Sequence, residues 1–305
     1  MIKNNKNISL ELKKRQRDMF QPVIKWSGSK RSQSYDLIKY FPPNIETYYE
    51  PLCGGASVCR ALIESKEHKV KHYVCSDLNQ DLINLWNVVK NNPEEVAENY
   101  KALWTELNRS NDKGIKRDYF EFVRKRYNKE RNPLDFMFIM RTTTNGMPRY
   151  NSKGEFNNSF HITRDGINPD RLRKIILEWS DLLNENNVEF RCCSYSDIKP
   201  EMDDFLYLDP PYANTKGMYF GKFDNQGFLD WLRSLPCGYA FSYDGQSGNV
   251  DHTEDVPNDL FDEHVYLRSG NSSFKRIKEV AKDAIVFESL YIKCRKTHRS
   301  LACGM

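Results

Sequence analysis

Leu206-Tyr207-Leu208-Asp209-Pro210-Pro211-Tyr212 is the stretch that most limits what this chain can become. Apolar, β-prone residues are stopped by an acid and two prolines, which fix φ and remove two backbone donors. A strand therefore ends at Asp209, and in an open α/β sheet ligands bind beyond the carboxyl ends of the strands. The loop is stiff and presents bare carbonyls. A carboxylate, a carbonyl and a flat ring together suit an aromatic amine. Asp209 and the Pro210 carbonyl can accept from an –NH2 while Tyr212 stacks on its ring. An amine so held is drawn toward sp3 character, its lone pair aimed at an electrophile. An ordinary Asp-Pro turn is the competing reading of these residues taken alone.

The flanking sequence supplies a sheet for that strand. Thr47–Glu50 is β-prone and runs into Pro51 and Gly54-Gly55, after which Ala56–Glu64 reads as a helix. His72–Cys75 is a second strand, ending near Asp77. Leu82, Leu85, Trp86 and Val89 then recur at helical spacing. Strand, glycine turn, helix, strand opens a doubly wound α/β fold. From Pro93 the pattern changes to helices, marked by Val96, Tyr100, Leu103, Trp104 and Leu107, by Phe120, Val123 and Tyr127, and by a third opening at Pro133. A polar, turn-rich stretch follows at 141–160, and Leu172, Ile176, Trp179 and Leu183 mark a returning helix. Strands resume at Val188–Tyr195, Phe205–Leu208, Tyr239–Ser242 and Ala284–Ile292. The expected organisation is a basic tail over 1–20, one α/β domain split between 21–92 and 188–305, and a helical insert over 93–187.

Charge separates these blocks. The net charge of +4 says little, but residues 109–149 hold eleven Lys and Arg against five Asp and Glu, leaving the remainder close to neutral. A basic segment on a near-neutral body suits a polyanion, although a solvated helix face reads the same way. The eight cysteines show no metal-ligand spacing, so no metal is expected. No apolar run is long enough to span a bilayer, and Met1–Lys14 lacks the apolar core of a secretory signal. The expectation is a cytoplasmic protein with reduced thiols and no obligate protein partner.

Pro22-Val23-Ile24-Lys25-Trp26-Ser27-Gly28-Ser29-Lys30, Tyr49-Glu50-Pro51-Leu52-Cys53-Gly54-Gly55-Ala56-Ser57-Val58, Ser76-Asp77-Leu78-Asn79, Arg149-Tyr150-Asn151-Ser152-Lys153-Gly154-Glu155-Phe156-Asn157 and Asp209-Pro210-Pro211-Tyr212 occur in that order. Together they resemble the adenine-specific DNA methyltransferases of the Dam type, from about Pro22 to Ile292. The resemblance implies a Rossmann-like S-adenosylmethionine-dependent methyltransferase fold with an inserted helical target-recognition domain at 93–187, and double-stranded DNA as substrate. It implies S-adenosylmethionine contacts at Trp26, Lys30, Glu50, Gly54, Asp77, Tyr195 and Asp209. Trp26 would lie against the methionine part or the sulfonium, Lys30 would pair with the methionine carboxylate, and Asp77 would hold ribose hydroxyls. Asp77 has a competing reading as a helix cap, a task Asp81 could take instead. Catalysis would fall to Asp209, Pro210 and Tyr212, and DNA contact to Arg124, Arg126, Arg141, Arg149 and Asn151. Family members usually follow the recognition loop with Pro-Phe-Gly and a basic residue. This chain has Ser159-Phe160-His161-Ile162-Thr163-Arg164, which leaves the target sequence open.

The implied reaction is direct SN2 transfer to N6 of an adenine flipped out of the duplex. Transfer to N4 of cytosine uses a similar clamp, more often with Ser in place of Asp. RNA or a protein amide could meet the same clamp. A catalytically inactive DNA-binding relative is a further alternative, against which Trp26, Lys30, Asp77 and Asp209 all stand intact. A C5-cytosine enzyme would need a catalytic thiol, and Pro236-Cys237 offers only a superficial match.

Overall fold

The computed structural model describes residues 19–211, 223–247, 250–251, 256–269 and 286–294. After a single helical turn at Lys30–Ser32, the elements in chain order begin with α1 (Ser34–Leu37), β1 (Asn44–Pro51), α2 (Ser57–Glu64), β2 (Lys69–Asp77) and α3 (Gln80–Asn91). Four helices follow without a strand: α4 (Pro93–Leu107), α5 (Lys113–Glu130), α6 (Pro133–Thr142) and α7 (Pro169–Glu185). The chain then returns to the sheet through β3 (Glu189–Cys192), β4 (Phe205–Leu208), α8 (Asn225–Ser234), β5 (Gly238–Ser247), β6 (Val250–Asp251), β7 (Glu263–Ser269) and β8 (Val286–Lys293).

Local chemistry sets the helix starts. Pro93, Pro133 and Pro169 each occupy a first turn, where a missing N–H costs nothing. Asp112, Asn132 and Asn168 cap α5, α6 and α7 with side-chain oxygens. For α3 the cap is Asn79, whose Oδ1 accepts from Leu82 N at 3.1 Å. Neither Asp77 nor Asp81 does this work, so both acids are released for other contacts. Leu82, Leu85, Trp86 and Val89 are all buried, as their spacing requires.

Seven strands run in the order β3-β2-β1-β4-β5-β8-β7, and β6 pairs with β5 off this path. The first five are mutually parallel, whereas β8 lies antiparallel to both β5 and β7. From β1 the chain steps outward to β2 and β3, then returns to β4 on the opposite side of β1. The switch point therefore lies between β1 and β4, where Tyr48 pairs with Phe205 and Tyr49 with Leu206. Strand β4 is buried on both faces: Phe205 and Tyr207 join one core, Leu206 and Leu208 the other. This is the doubly wound, Rossmann-like α/β fold that the sequence pattern predicts.

Two features depart from the expectation. Strands β6 and β7 were not anticipated. Strand β3 ends at Cys192, and Tyr195 opens a helical turn instead of closing the strand. Ser194 and Asp197 cap each other's backbone there, with Ser194 N donating to Asp197 Oδ2 at 2.9 Å. Helices α4–α7, inserted between α3 and β3, also share one contiguous core with the sheet: Tyr100, Phe120, Phe136 and Trp179 belong to the same cluster as Tyr48 and Trp86. Among the described residues, no helix is long and apolar enough to cross a membrane. Replacing the α3 cap, Asn79→Ala, is expected to lower stability by about 1 kcal/mol. Urea denaturation of both proteins checks this, and an unchanged midpoint contradicts it.

Candidate functional site

The loop after β1 is built on backbone that side chains rarely adopt. Leu52, Gly54 and Ala56 all have positive φ, at 65°, 48° and 49°. Gly54 is fixed from both sides of its peptide: its N–H donates to Asp77 Oδ2 at 3.2 Å, and its carbonyl accepts from Trp86 Nε1 at 2.9 Å. A Cβ at Gly54 would lie 2.6 Å from Trp26 Nε1, so the indole and this backbone are in direct contact. Asp77 also accepts from Asn79 N at 3.0 Å, and burial raises its carboxyl above the usual range. Trp26, Gly54 and Asp77 are thus brought together at the carboxyl ends of β1 and β2.

Glu50 is not an open ligand. It is buried, and Oε2 accepts from Tyr48 Oη and from the Cys59 amide in the first turn of α2. It shapes the loop from inside, whereas a place at the cofactor was expected of it. Burial first, and the Asp209 charge as a further contribution, push its carboxyl up to about 8. Its oxygens lie close to the buried thiols of Cys59 and Cys75, a trio of a composition that can hold a metal. Glu50 is already engaged by the Tyr48 hydroxyl and by the amides of Cys59 and Val58.

At the end of β4, Asp209 is half-buried and Pro210 buried. Lys30 Nζ stands 2.7 Å from Asp209 Oδ1 and 3.4 Å from Glu288 Oε2 on β8. Lys30, expected to pair with a ligand carboxylate, is paired here with Asp209. Beside the cluster Tyr207 is buried, its hydroxyl 2.7 Å from Ser242 Oγ, and its pKa is raised first by burial and then by Asp209. Tyr212 lies outside the described residues. Tyr195 is half-buried and packs on Phe223, Phe228 and Trp231, with ring centroids 5.8, 5.4 and 5.0 Å away. The sequence reading missed Glu288. Its signal was an acid inside an otherwise apolar strand.

The expected DNA residues divide sharply. Arg149 is exposed at the base of a hairpin in which Tyr150 bridges to Phe156, and its Nε donates to Asn157 Oδ1 at 2.9 Å. Asn151 builds the turn: Oδ1 accepts from the amides of Lys153 and Glu155 at 2.9 and 3.0 Å. Arg126 makes a two-pronged ion pair with the buried Asp135. Arg124 pairs with Glu121 and donates to the Asn158 carbonyl. Arg141, expected at the DNA, is buried against the Pro22 carbonyl, and desolvation lowers its pKa to about 10. It therefore braces the N-terminal segment from within. Exposed charge on this block is carried instead by Lys113, Arg117, Lys125 and Lys129 of α5.

Two contacts bind the hairpin region to the site. Asp81 accepts from Tyr127 Oη, from Tyr150 Oη at 3.1 Å and from Arg131 Nη1 at 3.2 Å, while Arg131 also donates to the Gly154 carbonyl. Tyr150 is anchored four residues beyond Asp77, between the exposed Arg149 and the turn-forming Asn151. At the other end, Ser27 N donates to the Gly146 carbonyl at 3.0 Å. Gly146 has φ 61°, and a Cβ there would meet the Lys25 carbonyl oxygen at 2.8 Å.

The chain is similar to known proteins. The family model for D12 class N6 adenine-specific DNA methyltransferases matches residues 26–232. The type II methyltransferase M.FokI of Planomicrobium okeanokoites is 29% identical over 76% of this chain and 34% of that protein. This chain therefore spans about a third of that relative's length. The type II methyltransferase M.MjaIII of Methanocaldococcus jannaschii is 30% identical over 63% of this chain and 69% of its own length. The DNA adenine methylase of Haemophilus influenzae is 30% identical over 70% of this chain and 75% of that protein.

The state of Glu50 yields a pH prediction. Its folded pKa lies above the unfolded value, so its stabilising contribution is complete below about pH 4.5 and is lost as pH rises through about 8. Glu50→Gln should flatten that part of the stability profile, removing a slope worth a few kcal/mol at most. Urea titrations from pH 5 to 8.5 check this. An identical slope in both proteins rejects it.

Proposed function

The chain belongs to the D12 class N6 adenine-specific DNA methyltransferase family, and from that premise we propose that it transfers a methyl group from S-adenosylmethionine to N6 of adenine in double-stranded DNA. The observation that carries the reading is the position of Asp209 and Pro210 at the end of β4, on the switch point, beside the strained loop after β1. An acceptor carboxylate and a proline carbonyl at that place suit an amine on a flat ring.

The donor fits the residues beside it. The Gly54 peptide has no room for a side chain because Trp26 lies against it, so a ligand there meets bare backbone and an indole face. Asp77, held by the Gly54 and Asn79 amides, is oriented to accept from paired hydroxyls such as those of a ribose. When bound, S-adenosylmethionine supplies an electrophilic methyl on a sulfonium. Trp26 offers a π face suited to that cation.

The chain's own task is alignment. A target adenine must leave the stack to reach the end of β4. Asp209 and the Pro210 carbonyl accept its two N6 hydrogens, and Tyr212 is assigned the stacking face. Held this way, the nitrogen lone pair forms the new N–C bond while the C–S electron pair stays on sulfur. The N6 proton leaves afterwards, to Asp209 or to water. Fixing the reacting groups supplies much of the acceleration. Outside the pocket, Arg149 and the exposed cations of α5 meet DNA, with phosphates positioning and Arg149 available to a base edge. The cytoplasm is the compartment that this reading assigns.

Asp209→Ala should abolish methyl transfer to duplex DNA while DNA affinity stays within about twofold. Near-normal turnover in labelled-methyl incorporation sinks the assignment. Arg149→Ala should weaken duplex binding on the order of tenfold with unchanged donor affinity. Equal loss of both, read by fluorescence anisotropy and calorimetry, would mean that Arg149 is part of the scaffold.

A further inference from the structure

Lys30 Nζ stands between two carboxylates drawn from distant parts of the chain, Asp209 Oδ1 at 2.7 Å and Glu288 Oε2 at 3.4 Å. Lys30 is only 7% exposed, so its ammonium cannot be turned out to water. The two distances differ in kind. The first is a charge-assisted hydrogen bond, and the second lies just beyond hydrogen-bond range.

We propose that Glu288 is a positioning residue that receives the Lys30 ammonium when Asp209 turns to the target amine. The inference rests on the reading above, in which Asp209 accepts from adenine N6. As the structure stands, Lys30 competes for that role: it occupies Oδ1 and draws off the negative charge that makes a carboxylate a strong acceptor. Methyl transfer raises the conflict further, because N6 carries positive charge until its proton leaves. An ammonium bound to the same carboxylate opposes that charge. Glu288 resolves both difficulties. A shift of about 0.5 Å by the flexible lysine stem would bring Nζ into hydrogen-bond range of Oε2, and the turn of Asp209 toward the amine then frees Oδ1 without stranding a buried charge.

The position of Glu288 suits this task. It lies on β8, where it pairs with Leu267 of β7 while its neighbours Phe287 and Ser289 pair with Gln246 and Tyr243 of β5 on either side of a break in register. Its side chain is 20% exposed, and Tyr207, buried in the sheet, feels the charges of Asp209, Lys30 and Glu288 together. The three groups form one electrostatic unit with one cation and two carboxylates. Glu288 touches neither substrate in this account and acts through Lys30 alone.

The test is single-turnover methyl transfer at saturating S-adenosylmethionine and unmethylated duplex, using wild type, Glu288→Gln, Lys30→Met and the double variant. Glu288→Gln should slow the transfer step about 10- to 100-fold, because the buried ammonium then has no second carboxylate at Glu288 to move to. Dissociation constants for donor and for duplex should stay within about twofold. In the Lys30→Met background the same substitution should cost nothing further, a coupling that a purely structural role would not produce. Glu288→Asp keeps the charge and should recover part of the rate, which guards against misfolding of the amide variant. Wild-type rates in Glu288→Gln, additive losses in the double variant, or a loss confined to binding would each overturn the proposal. A wild-type protein that leaves adenine unmethylated overturns the reading beneath it, and this inference with it.

Discussion

The peptide at Gly54 is the point on which the site depends. Its amide is held by Asp77, its carbonyl by Trp86, and its missing side chain by the indole of Trp26. Three segments that are separate in sequence are thereby fixed against one another: the N-terminal stretch, the loop after β1 and the end of β2. Trp86 extends the tie into the core, stacking on Phe190 of β3 at 5.3 Å with ring planes 3° apart. The positive φ values at Leu52 and Ala56 are sustained because this network over-determines the loop.

From that fixed point, two further ties reach the rest of the machinery. Lys30 joins the N-terminal stretch to Asp209 at the end of β4, and so ties the corner at Asp209 and Pro210 to the stretch that holds the Gly54 loop. Asp81 joins the start of α3 to Tyr127, Arg131 and Tyr150, and so holds the hairpin bearing Arg149 to the same body. Because the helical insert shares its core with the sheet, the exposed hairpin sits on a rigid support. A family built to methylate adenine in DNA needs this rigidity, since alignment does most of the chemistry.

Much of this was legible in the sequence where local physics decides. Strand β4 has the bounds read from Phe205–Leu208, because prolines end it. The face of α3 follows from the spacing of its apolar residues, and Asp77 and Asp209 sit at strand ends as expected. What was not legible depends on which partner each side chain takes once the chain is folded. Arg141 looked like one more cation in a basic block, yet its fate is set by a carbonyl 119 residues earlier. Arg126 is claimed by Asp135, and Asn151 by its own turn. A charge count cannot separate cations that brace from cations that face solvent. Glu288 is the converse case: its importance comes only from folding β8 beside β5, which brings it to Lys30, 258 positions away in the chain.

The central claim is that the corner formed by Asp209 and Pro210 presents an exocyclic adenine amine to a methyl donor. Its most direct measurement is incubation of unmethylated genomic DNA with isotope-labelled S-adenosylmethionine, followed by mass spectrometry of the nucleosides. Label is expected in N6-methyladenine, within a defined sequence context. Label in N4-methylcytosine, or DNA that stays unlabelled, would contradict it.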